Sequence, residues 1–121
     1  DGNMLETHSV AAGLDYIGVN PVLVHLWERD RVRFEAVTDS QVTEALKITM
    51  KSEGLIPALE SSHGFAQAIL EAEQMAKDEV VLINMSGRGD KDIFTIADAL
   101  DDSHWKEFIQ QKAQIYRGEV N

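Results

Sequence analysis

The sequence predicts an α/β fold, a partial three-layer sandwich with a mainly parallel sheet. Three observations predict it. Val80-Val81-Leu82-Ile83 is an apolar run without polar interruption, the pattern of a strand covered on both faces. Val32, Phe34 and Ala36 alternate with Arg33 and Glu35, the pattern of a strand with one buried face. Each of these runs is followed by segments with helical spacing, giving the order strand, helix, helix, strand, helix, helix. Two strands alone leave long open edges, so the pattern reads as part of a larger sheet.

The elements follow in order. Residues Thr7 to Asn20 mix glycine with small residues and read as a loop. Asn20-Pro21 is an N-cap with proline at the first helical position. Val22, Leu23, Leu26 and Trp27 then form the buried stripe of a short helix ending near Arg29. After the strand at 32–36, Thr38-Asp39-Ser40 offers N-caps for a helix with Val42, Ala45, Leu46, Thr49 and Met50 on one face. Gly54 suits the residue after that helix. Glu60-Ser61-Ser62-His63 begins the next helix, whose stripe is Phe65, Ala66, Ile69, Leu70 and Ala76. The second strand runs from about Glu79 to Asn84. A helix carrying Ile93, Phe94, Ile96, Ala97 and Leu100 follows, and Asp101-Asp102-Ser103 interrupts it. A last helix directs Trp105, Phe108, Ile109 and Tyr116 inward.

The chain has 121 residues, enough for one domain that buries roughly two-thirds of its unfolded surface. Its formal net charge of −10 argues against a nucleic-acid surface and against adsorption to anionic membranes. There is no cysteine, hence no disulfide framework and no thiolate metal site. No apolar run approaches the ~20 residues needed to span a bilayer, and no signal peptide is visible. A cytoplasmic protein is expected. The chain opens with Asp1-Gly2-Asn3 rather than methionine, which is expected of the cut end of a longer protein.

The chemistry-bearing residues cluster at two places. Asn84-Met85-Ser86-Gly87-Arg88-Gly89-Asp90-Lys91-Asp92 joins the apolar run to a helix, where open α/β folds place ligands. It has neither Walker spacing nor the third glycine of a dinucleotide fingerprint, and its aspartates would repel a phosphate. Asp90 and Asp92 suit helix capping, or pairing with Arg88 or Lys91. Glu60, Ser61, Ser62 and His63 form the second cluster. On spacing alone, binding of a polar ligand and N-capping by a serine both stand open. Asp15, in the small-residue loop, suits either a substrate contact or an Asx-turn. No His-x-x-x-His pair is present to favour zinc.

Three segments in this order resemble one family. They are Ser9-Val10-Ala11-Ala12-Gly13-Leu14-Asp15-Tyr16, Glu53-Gly54-Leu55-Ile56-Pro57-Ala58-Leu59-Glu60-Ser61-Ser62-His63, and the segment from Asn84 to Asp92. Together they resemble the C-terminal part of the tryptophan synthase β subunit, over about residues 5–100. Residues 101–121 carry no motif of the family and read as a helical tail. The resemblance implies a fold type II pyridoxal-phosphate enzyme that condenses L-serine with indole to L-tryptophan by β-elimination and replacement. It also implies roles for single residues. Ser86 would hydrogen-bond the pyridine nitrogen of the cofactor, and Glu60 would lie beside the ring. Gly87 and Gly89 would let the chain pass close to the cofactor. Asp15 would help close the site, and Tyr16 would border the indole pocket. The backbone carbonyls of Tyr16 and Gly18 would meet a monovalent cation.

The sequence departs from the family in two ways. Ile17 stands where members carry proline, and Asn20-Pro21 where they carry Gly-Pro, which bears on the cation loop. The His-Lys segment holding the Schiff-base lysine, and the Gly-Gly-Gly-Ser-Asn-Ala phosphate cup, have no counterpart here. The chain is therefore expected to be a fragment holding one wall of the site and inactive alone. Its expected partners are the remainder of the β subunit, an α subunit and a second β subunit. Self-association through uncovered apolar surface is also expected. The alternative is a free-standing acidic α/β binding or interaction module.

Overall fold

The computed structural model describes residues 3–119, so the start at Asp1 and the end of the tail at 120–121 lie outside the described residues. Five helices form: α1 (Pro21–Glu28), α2 (Asp39–Glu53), α3 (Leu59–Ala72), α4 (Ile93–Ala99) and α5 (Ser103–Arg117). Short 3-10 turns lie at Ala12–Leu14 and Gly89–Asp92. None of the helices is long and apolar enough to cross a membrane.

Packing of α2 on α3 makes the core. Helix α2 starts where the sequence says it should. The Thr38 hydroxyl accepts from the Gln41 N–H, and the Gln41 side chain accepts from the Thr38 N–H, so two of the free N–H groups at the start are satisfied. It ends at Gly54, whose φ of +67° is the left-handed geometry that glycine adopts without strain. Between these limits Val42, Ala45, Leu46 and Thr49 face inward at helical spacing. Val42, Ala45 and Leu46 join Ala11, Leu59, Ala66 and Ile96 in one buried cluster, with Phe65, Ile69 and Leu100 packed against it. Thr49 satisfies its buried hydroxyl by donating to the Ala45 carbonyl at 2.9 Å.

The expected parallel sheet is not formed among the described residues. Residues 32–36 and 79–84 belong to no strand, and the single bridge pairs Pro57 with Arg88 in antiparallel sense. A strand exists only by exchanging backbone hydrogen bonds with a neighbour, and neither segment has one here. Val80 is 86% exposed and Leu82 95% exposed.

Three other expectations are corrected. Helix α3 begins at Leu59 and ends at Ala72, so Ala76 falls outside it. Helix α1 buries no residue, and Val22 and Trp27 of its supposed inner stripe are exposed. Helix α5 also buries none, and Phe108, Ile109 and Tyr116 are exposed rather than inward. Both helices are amphipathic, but burial needs an opposing surface, and the aromatic contact that reaches α5 from another helix among the described residues is Phe94, tilted against Trp105 with ring centroids 5.6 Å apart.

Candidate functional site

The two polar clusters meet at the start of α3. The link Ile56-Pro57-Ala58 runs beside the turn at 87–89, held by Gly89 N–H to the Ile56 carbonyl at 2.7 Å and Ala58 N–H to the Gly87 carbonyl at 3.0 Å. The glycines explain how close these backbones come. A Cβ on Gly89 would lie 2.5 Å from the Pro57 carbonyl oxygen and 2.7 Å from Ile56 Cγ2. On Gly87 it would lie 3.1 Å from Ala58 Cβ. Gly89→Ala is therefore expected to destabilise the protein by about 1–3 kcal/mol, because backbone cannot step aside as a side chain can. Urea denaturation checks the loss. Hydrogen exchange at the Gly89 amide checks that the bond to Ile56 opens.

Neither Ser61 nor Ser62 caps α3, since both lie within its first turn. The N-cap position is Ala58, which has no side-chain cap. The cap comes instead from the distant turn, where Asp92 Oδ2 accepts the Leu59 N–H at 3.1 Å. Ser62, fully buried, donates to the Ala58 carbonyl. Ser61, also buried, accepts the Gly87 N–H at 3.1 Å, and its Oγ lies 3.2 Å from Ser86 Oγ. Ser86 itself is exposed, so one hydroxyl is anchored inside and the next faces out.

Glu60 is the electrostatic centre. Its Oε1 accepts the Gly13 N–H at 3.0 Å, and its Oε2 accepts from Lys91 Nζ at 2.9 Å. Lys91 also donates to Asp92 at 2.7 Å, and Arg88 pairs with Asp90. The hydrogen bond from Lys91 is the largest reason that the Glu60 carboxyl titrates below the ordinary range, and backbone N–H groups add to it. Asp92, then Glu60, raise Lys91 above its ordinary value.

The signs of these shifts set a stability window. The contribution of Glu60 is complete above the usual carboxylate pKa of about 4 and is lost as pH falls through its lowered value. That of Lys91 is complete below about 10 and is lost as pH rises through its raised value. Glu60→Gln is expected to flatten the acid limb of the stability curve below about pH 4 and leave the region near neutrality parallel to the native curve. Denaturant midpoints measured across pH check this. An unchanged acid limb would show that Glu60 carries no such linkage.

Glu60 also lines a cleft of about 470 Å³ with Leu14, Glu35 and His63. His63 Nδ1 lies 2.8 Å from the Leu59 carbonyl, an acceptor, so Nδ1 carries a proton and donates to it. Ser86 does not line this cleft. Asp15 follows the 3-10 turn, exposed, its N–H bonded to the Ala12 carbonyl. Tyr16 is 82% exposed and Gly18 has open space around it.

The structure thus brings Ser86, Gly87 and Gly89 against the start of α3 and ties Gly13, two residues before Asp15, to Glu60. It does not gather Tyr16 and Gly18 with them. Sequence reasoning named Ser61 only as one of two serines open to ligand binding or capping, and Lys91 only as a partner for the nearby aspartates, and it did not single out Gly13. The available signal was a buried-side hydroxyl next to Glu60 in a segment with two serines, but which serine faces the turn depends on where α3 starts. That start is set by Asp92, 33 residues away.

Comparison with known proteins adds the family. No family model matches the chain. The tryptophan synthase beta chain of Helicobacter hepaticus is 48% identical over 112 residues, covering 93% of this chain and 26% of that relative. The tryptophan synthase beta chains of two Stenotrophomonas maltophilia strains are 50% identical over 97 residues, covering 80% of this chain and 24% of theirs. The chain spans about a quarter of the length of the curated relatives it matches.

Proposed function

This chain is homologous to the C-terminal portion of tryptophan synthase beta chains, and from that premise we propose that it forms one wall of the cofactor site of such a β chain in the cytoplasm. The complete protein condenses L-serine with indole to L-tryptophan, and pyridoxal phosphate, when bound, supplies the electron sink for the elimination. The remainder of the β chain supplies the lysine and the phosphate cup. An α subunit and a second β chain complete the assembly.

The observation that carries this reading is the exposed Ser86 hydroxyl at the end of the 79–84 segment, held beside the start of α3. It fits a pyridine nitrogen. A serine hydroxyl donates one hydrogen bond and holds its proton far too tightly to protonate the ring, so the nitrogen stays neutral. The phosphate does not fit here, because Lys91 is engaged by Glu60 and Asp92, and Arg88 by Asp90. Glu60 presents an ionised carboxylate beside the site, tied to the 11–15 loop through Gly13. That tie positions Asp15 to close over bound serine and exclude water. Tyr16 borders the indole pocket. The carbonyls of Tyr16 and Gly18 accept no backbone hydrogen bond among the described residues, and we assign them to a monovalent cation.

The same reading accounts for the uncovered apolar surface. The segments 32–36 and 79–84 become strands of a mainly parallel sheet when the remainder of the β chain pairs with them. The near-complete exposure of Val80 and Leu82 disfavours a free-standing module. Alone, the chain covers such surface by self-association.

The test is tryptophan formation from L-serine and indole with pyridoxal phosphate added. The complete β chain carrying this segment is expected to turn over, and the isolated 121-residue chain is not. Turnover by the isolated chain, or none by the complete protein, would refute the proposal.

A further inference from the structure

We propose that Ser61 is a positioning residue that commits the Ser86 hydroxyl to donate outward, toward a pyridine nitrogen. The inference rests on the cofactor contact assigned to Ser86 and extends it to a residue that touches no ligand. Its basis is the direction of one hydrogen bond. A hydroxyl has one proton to give and two lone pairs. The Gly87 N–H can only donate, so Ser61 Oγ, 3.1 Å away, accepts from it. Ser61 is 5% exposed, and the acceptor within reach of its own proton is Ser86 Oγ at 3.2 Å. Were Ser86 to donate inward instead, Ser61 would receive two protons and keep its own without an acceptor, in a site with little access to water. Buried donors are rarely left in that state, and no buried side-chain polar atom among the described residues lacks a partner. Ser86, being exposed, tolerates either direction. Ser61 therefore decides, and it donates to Ser86.

The result is a one-way relay from the Gly87 N–H to Ser61, from Ser61 to Ser86, and from Ser86 to its ligand. Each bond polarises the next in the same sense. Ser86 is thereby a better donor than a lone surface serine and is held in one rotamer before a ligand arrives. A fixed donor favours an unprotonated ring nitrogen over a protonated one. The buried end of the relay sits on the first turn of α3, which Asp92 caps, so its geometry is built into the fold.

The experiment uses the complete β chain, with pyridoxal phosphate labelled with nitrogen-15 in the ring as probe. The native protein is compared with Ser61→Ala, Ser61→Cys, Ser61→Thr and Ser86→Ala by cofactor dissociation constant and by the ring-nitrogen chemical shift. Ser61→Ala is expected to weaken cofactor binding about threefold to tenfold, the worth of one neutral hydrogen bond, and to move the nitrogen signal. Ser61→Cys, which keeps the volume but donates weakly, is expected to do the same and serves if the alanine variant fails to fold. Ser61→Thr restores the hydroxyl and is expected to bring both readouts back toward native.

A Ser61 variant that lowers thermal stability while leaving affinity and nitrogen signal at native values would overturn the relay, provided Ser86→Ala changes both. If Ser86→Ala also changes neither, the ring contact at Ser86 is wrong and the relay falls with it.

Discussion

Leu46→Ala lowers the unfolding free energy by about 3 kcal/mol, within the range seen for truncating a buried leucine. Leu46 is 1% exposed and sits on α2 between Val42 and Thr49, in the buried cluster that also holds Leu59 and Ala66 of α3. The cluster joins residues of α2, α3 and α4. Ala11, Ala45 and Ala66 of the cluster are small, and the larger side chains packed against it, Phe65 and Ile69 among them, are only partly buried. The cavity therefore stays open, and its cost adds to the lost transfer energy. Leu55→Ala is the control: Leu55 is 46% exposed, so its loss costs less than about 1 kcal/mol. Urea denaturation of both variants measures the contrast, and equal midpoints would place the core elsewhere.

Ser86→Asp lowers tryptophan formation by the complete β chain at least about tenfold. A carboxylate at the ring nitrogen favours the protonated ring, and a shift of one pKa unit corresponds to about 1.4 kcal/mol, or a factor of ten. The substitution also replaces the hydroxyl that meets Ser61 Oγ with a group that only accepts when ionised, which reverses the direction of hydrogen bonding beyond Ser61. The effect therefore falls on the chemistry more than on the fold, and thermal stability changes little because position 86 is exposed. Steady-state rates with saturating serine and indole measure it. A native rate would remove the role assigned to Ser86.

What the sequence made legible was local. Helix α2 follows from its own residues: a threonine and a glutamine that cap each other, a stripe at helical spacing, and a glycine where the chain turns left-handed. The proline at the start of α1 and its Asn20 cap, which accepts the Val22 N–H, are equally local. What was not legible depended on distant partners. Asp92 caps the start of α3, so the serines whose spacing suits an N-cap lie inside the helix. The sheet expected at 32–36 and 79–84 requires neighbours that the described chain does not provide, so Phe34, Val80, Val81 and Leu82 of these patterns stand exposed. Helix α5 has an apolar stripe but buries no residue among the described residues. The resemblance implies that Gly87 and Gly89 let the chain pass close to a cofactor, and a Cβ on either would also meet the 56–58 link. That packing sets Ser86 beside Ser61, and the effect of the glycines on the site runs through the position of Ser86.

The most direct measurement of the central claim is the nitrogen-15 chemical shift of the pyridine ring in the complete β chain loaded with labelled pyridoxal phosphate. The account predicts an unprotonated nitrogen in the native protein across neutral pH, hydrogen-bonded by Ser86, and a protonated one in Ser86→Asp. A protonated nitrogen in the native protein, unchanged by the substitution, would contradict it.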